Sequence, residues 1–151
     1  MSVPEGDRGD GKFTLPTKAE ELACYTLRIT ANEKIFLPEY QRALTDDLIL
    51  QAKNAYLYIR EAHDITVRRD SNTFIRDLHE RQRLQLQAIK CMKRMLPLID
   101  LAKKVFHLEL RRVKYWGKMV INVRERTRKW MESDARRLLM KSSNNTLWAV
   151  G

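Results

Sequence analysis

Between residues 111 and 137 the chain reads RRVKYWGKMVINVRERTRKWMESDARR, with Val113, Trp116, Val120, Val123, Thr127 and Trp130 separated by steps of 3, 4, 3, 4 and 3. Such steps fall in one line only on a helix of 3.6 residues per turn, and a long line of this kind is buried only by packing against other helices. Two further segments repeat the pattern. Leu48, Ala52, Ala55, Ile59 and Ala62 form a narrow seam of small side chains, suited to close helix approach. Phe74, Leu78, Leu84, Ala88, Met92, Met95, Ile99 and Ala102 form a longer one. Burying each large apolar side chain contributes roughly 1.5 to 3 kcal/mol, so seams of this length hold a bundle together.

Glycine and proline mark where the helices end. The glycines are Gly6, Gly9, Gly11, Gly117 and Gly151, and the prolines Pro4, Pro16, Pro38 and Pro97, so most lie outside the periodic segments. Thr17 with Glu20 three residues later predicts a capping box, with Pro16 fixing the approach, for a first helix carrying Leu22, Tyr25, Thr26 and Ile29 to about Lys34. The FLPEY turn follows, and Thr45 ahead of Asp46 and Asp47 predicts the N-cap of a second helix. HDITVRRDSN, residues 63 to 72, breaks the periodicity and offers Ser71 or Asn72 to cap a third helix, in which Pro97 predicts a kink near Lys93. FHL at 106 to 108 turns the chain into the fourth. The expectation is an all-α fold, an antiparallel up-down-up-down four-helix bundle over residues 14–141, with a flexible leader at 1–13 and an uncharged flexible tail at 142–151.

Composition excludes several classes. Hydrophobic residues make up 44% against 32% charged, too apolar for a disordered chain, and no run approaches the roughly 18 apolar residues of a membrane span. MSVPEGDRGDGKF lacks the apolar core of a secretory signal, which predicts a cytoplasmic protein. Cys24 and Cys91 stand far apart on or beside apolar stripes and read as small packing residues. His79-Glu80 opens like HExxH, but Arg83 occupies the place of the second histidine. With no phosphate loop, nucleophile elbow or metal-ligand cluster in the sequence, the expectation is a non-enzyme without metal or cofactor.

Charge points elsewhere. From residue 109 to 141 there are eleven Lys or Arg against four Asp or Glu, a net of +7 within a chain total of +10. Concentrated positive charge attracts polyanions, and arrays of Lys and Arg are suited to phosphate contact without base reading. Only Glu125 and Glu132 stand within a helical turn of several of these cations, so most lack a partner in their own helix. The candidate nucleic-acid-binding residues are Arg111, Arg112, Lys114, Lys118, Arg124, Arg126, Arg128 and Lys129, followed by Arg81 and Arg83 at the start of the third helix. Trp116 and Trp130 fall on the seam and read as core. Tyr115 lies off it, as a candidate partner contact, and Gly117 predicts a close approach by another helix or subunit.

The order of KAEELACYTLRITANEKIF, the proline turn, LTDDLI, and RQRLQLQAIKCMKRMLPLIDLAKKVFHLELRRVKYWGKMVINVRERTRKWMESD resembles a bacterial four-helix bundle family over residues 17 to 134. That family contains the proteins encoded in intervening sequences of large ribosomal RNA genes and the accessory variability determinant proteins of diversity-generating retroelements. For the retroelement branch the resemblance implies a basic homopentamer. It would bind the reverse transcriptase and its template RNA, with cDNA as a further ligand, and support mutagenic reverse transcription without an active site. The alternative is a structural bundle of the ribosomal intervening-sequence type, with no nucleic-acid role.

Overall fold

The computed structural model describes the backbone of residues 11–150 and the side chains of residues 14–140. Four α-helices account for most of it: α1, Gly11–Thr30; α2, Asp46–Asp64; α3, Phe74–Phe106; and α4, Leu110–Val150. There is no strand among the described residues. Helix α1 packs on α2, α2 on α3 and α3 on α4, while α4 closes the ring against α1. No described helix is long and apolar enough to cross a membrane.

The predicted seams form the core. Leu48, Ala52, Ala55, Ile59 and Ala62 of α2 are all buried, as are Phe74, Leu78, Leu84, Ala88, Met92, Met95, Ile99 and Ala102 of α3. On α4 the seam is buried from Trp116 to Trp130, with Val113 half-buried at its start. Helix α1 contributes Leu15, Ala19, Leu22 and Thr26, and the connection after it contributes Phe36. Around Trp116 the rings of Phe36 and Tyr25 stand edge-on, with centroids 6.3 and 6.4 Å away, and Phe106 lies 5.0 Å from Phe36. Such edge-to-face pairs add to what area burial alone provides. Trp116 also donates its indole N–H to Thr26 Oγ1 at 3.0 Å, so the one polar atom of this ring is satisfied in the core.

The start of α1 departs from the sequence expectation. Thr17 is not an N-cap: α1 begins at Gly11, contains Pro16, and leaves Thr17 exposed on its surface. Buried Leu15, four residues before Ala19 and seven before Leu22, carries the apolar stripe upstream of the expected cap, and that packing outweighs the local capping signal. Thr45 does stand at the N-cap position of α2, with Asp46 and Asp47 in the first turn, as the sequence predicts. Residues Pro38–Tyr40 already form a 3-10 turn and Gln41–Thr45 a π turn, so Thr45 enters α2 in helical conformation and makes no capping hydrogen bond. At the start of α3, Thr73 occupies the cap position, and Ser71 Oγ accepts the Thr73 N–H. Helix α1 ends at Thr30 rather than Lys34, while α3 runs through Pro97 to Phe106. Helical backbone extends past both expected boundaries, including residues 11–13 and 142–150; the remainder of the expected leader, residues 1–10, and residue 151 lie outside the described residues.

The turn between α3 and α4 is short. His107 adopts the left-handed conformation at φ 55°, and the Leu108 N–H reaches back to the Lys103 carbonyl at 3.1 Å, the six-to-one closure of a Schellman motif. Buried Phe106 and Leu108 flank the strained residue. The closure places Arg111 in the first turn of α4, directly beyond the junction.

Candidate nucleic-acid interface

On α4 the same helical period that lines up the seam decides where each cation goes. Residues 111, 114, 118 and 129 fall on the side of the helix opposite Trp116 and Val120, and Arg111, Lys114, Lys118 and Lys129 are all exposed. None of the four makes an ion pair among the described residues. They are free cations of the basic surface among the described residues.

The remaining candidates are engaged to different degrees. Arg124 and Arg128 share Glu125, at 3.4 and 3.5 Å. Arg126 is half-buried and donates to Asn122 Oδ1 at 3.1 Å and to Thr14 Oγ1 at 3.3 Å, which lays it across to α1. Arg112 is half-buried beside Tyr25; burial pushes the Tyr25 phenol up and the nearby Arg112 charge partly offsets this. Arg83 is exposed on α3 and chelates Glu80 through Nε at 2.6 Å and Nη2 at 3.1 Å. That hydrogen-bonded pair lowers the Glu80 carboxyl and raises the guanidinium.

Arg81 is withdrawn from the surface. Its Nη1 donates to both oxygens of Asp134, each at 3.3 Å, and its Nη2 to the Ile65 carbonyl, while its guanidinium lies 5.4 Å from the Trp130 ring centre. Asp134 is fully buried and also receives Gln85 Nε2 at 3.1 Å and Arg137 Nη1 at 3.4 Å. Arg137 donates in addition to the Val67 carbonyl at 3.3 Å. Arg81 is therefore a structural charge that ties α3, α4 and the connection after α2 together, because a buried guanidinium requires a counterion. A signal for this was present: Arg81 and Gln85 continue the α3 stripe at Leu78, and Asp134 continues the α4 seam four residues past Trp130.

No family model, curated protein or solved structure matches the chain. Leu110, Arg111, Lys114, Tyr115 and Lys118 line a hollow of about 470 Å³ at the start of α4. Tyr115 is 56% exposed, and its ring meets Tyr25 edge-on at 5.1 Å between centroids and 67° between planes. The opposite flank of Tyr115 borders a second hollow that includes Glu20, Glu21 and Arg28. Gly117 does not mark a close approach within the chain, since a Cβ built there meets nothing within 4 Å. Trp116 and Trp130 are core residues, as their spacing indicates. No group of three or more His, Cys, Asp or Glu side chains among the described residues is arranged to hold a metal ion.

Proposed function

We propose that this protein binds RNA through the outer face of α4 and acts as a non-enzymatic accessory factor. The observation that carries the reading is the row Arg111, Lys114, Lys118 and Lys129: four exposed cations without ion-pair partners on one side of one helix. Lysine and arginine in a fixed row exchange condensed counterions for protein charge along a phosphate chain, which favours binding most at low salt. Phosphate contact of this kind positions a nucleic acid without reading its sequence.

The family resemblance extends the proposal to a diversity-generating retroelement. The partners are then the element's reverse transcriptase, its template RNA and the cDNA made from it, and the assembly is a homopentamer. An up-down-up-down order of helices belongs to the same reading, and the contacts between α1 and α4 support it. Thr26 meets Trp116 and Thr14 meets Arg126, so positions rising along α1 meet positions falling along α4.

Mixing the protein with that reverse transcriptase and its template RNA, then separating the mixture by size at low salt, tests the proposal. The expected result is co-elution of all three, with RNA retention falling steeply as salt rises. Replacing Arg111, Lys114, Lys118 and Lys129 together with Glu abolishes RNA retention if the row is the interface. Absence of any RNA complex at low salt would sink the proposal. It would leave a structural bundle as the better description.

A further inference from the structure

The basic row explains attraction to phosphate of any kind, single-stranded or duplex. The hollow at the start of α4 adds a feature that duplex binding does not use. Tyr115 stands among Arg111, Lys114 and Lys118 with more than half of its surface exposed, on a bundle that has ample core to bury an aromatic ring. Its position is fixed from one side by the edge-on Tyr25 ring, which itself packs against buried Trp116. An aromatic face held in place beside cations is the combination used for unpaired bases: the ring stacks on the base and the cations hold the flanking phosphates. In a duplex the base faces are covered by their neighbours, and only edges and backbone remain within reach.

Resting on the RNA-binding reading above, we infer that this hollow is a single-strand site, in which one unpaired base stacks on Tyr115 while Arg111, Lys114 and Lys118 contact the adjoining phosphates. The strand lies on the basic flank of Tyr115, since the other flank carries Glu20 and Glu21. Every base has a π-face and stacking on one ring reads none of its edges, so the site accepts any base.

The experiment uses the full chain and three labelled ligands: a short oligoadenylate, a blunt duplex of equal length, and a strand of equal length with the same phosphodiester backbone but no bases. Affinity is read by fluorescence anisotropy at one low salt concentration. The wild-type protein is expected to bind oligoadenylate roughly 5- to 150-fold more tightly than the abasic strand, the effect of stacking one base. Tyr115→Ala should erase that difference while leaving duplex affinity unchanged, and Tyr115→Phe should keep it. Comparing the abasic strand with oligoadenylate on unaltered protein retains the test if Tyr115→Ala fails to fold. Equal wild-type affinity for those two strands, or a Tyr115→Ala protein that still separates them, overturns the stacking site while RNA binding through the basic row stands. Failure of all three ligands to bind overturns both.

Discussion

Asp134 gives the sharpest test of how the bundle is held together. Its carboxylate is fully buried and takes hydrogen bonds from Arg81, Gln85 and Arg137, with the Arg81 side chain only 11% exposed. Asp134→Ala leaves the Arg81 guanidinium buried with the Ile65 carbonyl as its remaining hydrogen-bond acceptor. Breaking a buried pair from one side costs about 3 to 5 kcal/mol, because the surviving charge has no counterion. At about 2 to 4 °C per kcal/mol for a chain of this size, the midpoint of thermal unfolding should fall by roughly 6 to 20 °C. Asp134→Asn keeps the shape and one acceptor and should lose less. The informative control replaces both charges, Arg81→Met with Asp134→Leu: packing is retained and no charge is stranded, so much of the lost stability should return. Circular dichroism melts at one protein concentration decide the matter. An Asp134→Ala midpoint within about 2 °C of the wild type, less than 1 kcal/mol by the same conversion, would refute the reasoning.

Other perturbations have definite expected outcomes. Gly117→Ala meets open space and should stabilise α4 by about 1 kcal/mol, visible as a higher unfolding midpoint; a loss would show that something outside this chain packs there. Thr26→Val removes the acceptor of the Trp116 indole N–H and should cost about 1 to 3 kcal/mol, measured by denaturant unfolding at unchanged m-value. Burial pushes the Cys91 thiol up, so the folded state favours its neutral form. That contribution to stability is intact below the ordinary thiol range and fades as pH rises through the raised folded value, and native alkylation should modify half-buried Cys24 before Cys91, as mass spectrometry of digests would report.

What could be read from the residues follows a physical division. The seams on α2, α3 and α4 were legible because burial imposes a period, and a period is visible in one dimension. The start of α1 was not. A capping motif at Thr17 is a local preference worth about 1 kcal/mol, and burial of Leu15 ahead of it, at roughly 1.5 to 3 kcal/mol, exceeds that. The basic character of α4 was equally plain, but charge counting treats Arg81 and Lys114 alike. Their difference lies in phase. Arg81 stands three residues after buried Leu78 and faces the core, whereas Lys114 stands two residues before buried Trp116 and faces away from it. Arg124, Arg126 and Arg128 were assigned to the interface by composition, and their bonds to Glu125, Asn122 and Thr14 depend on which atoms meet in three dimensions.

Phase also bears on which alignment of α3 and α4 the chain selects. Phe74, Arg81, Ala88, Met95 and Ala102 recur every seven residues along α3, as do Val113, Val120, Thr127 and Asp134 along α4. An apolar pattern with that repeat is nearly degenerate: sliding one helix by seven residues, about 10 Å, still sets apolar side chains against apolar ones. Asp134 breaks the degeneracy. In the slipped arrangement Arg81 and Gln85 would face Thr127 or a position beyond Asp134, and a buried carboxylate would meet Leu78 or Ala88. Several kcal/mol then separate two packings that hydrophobicity alone ranks as equals. The buried acid is thus an address on the helix, telling two repetitive surfaces which turn belongs with which.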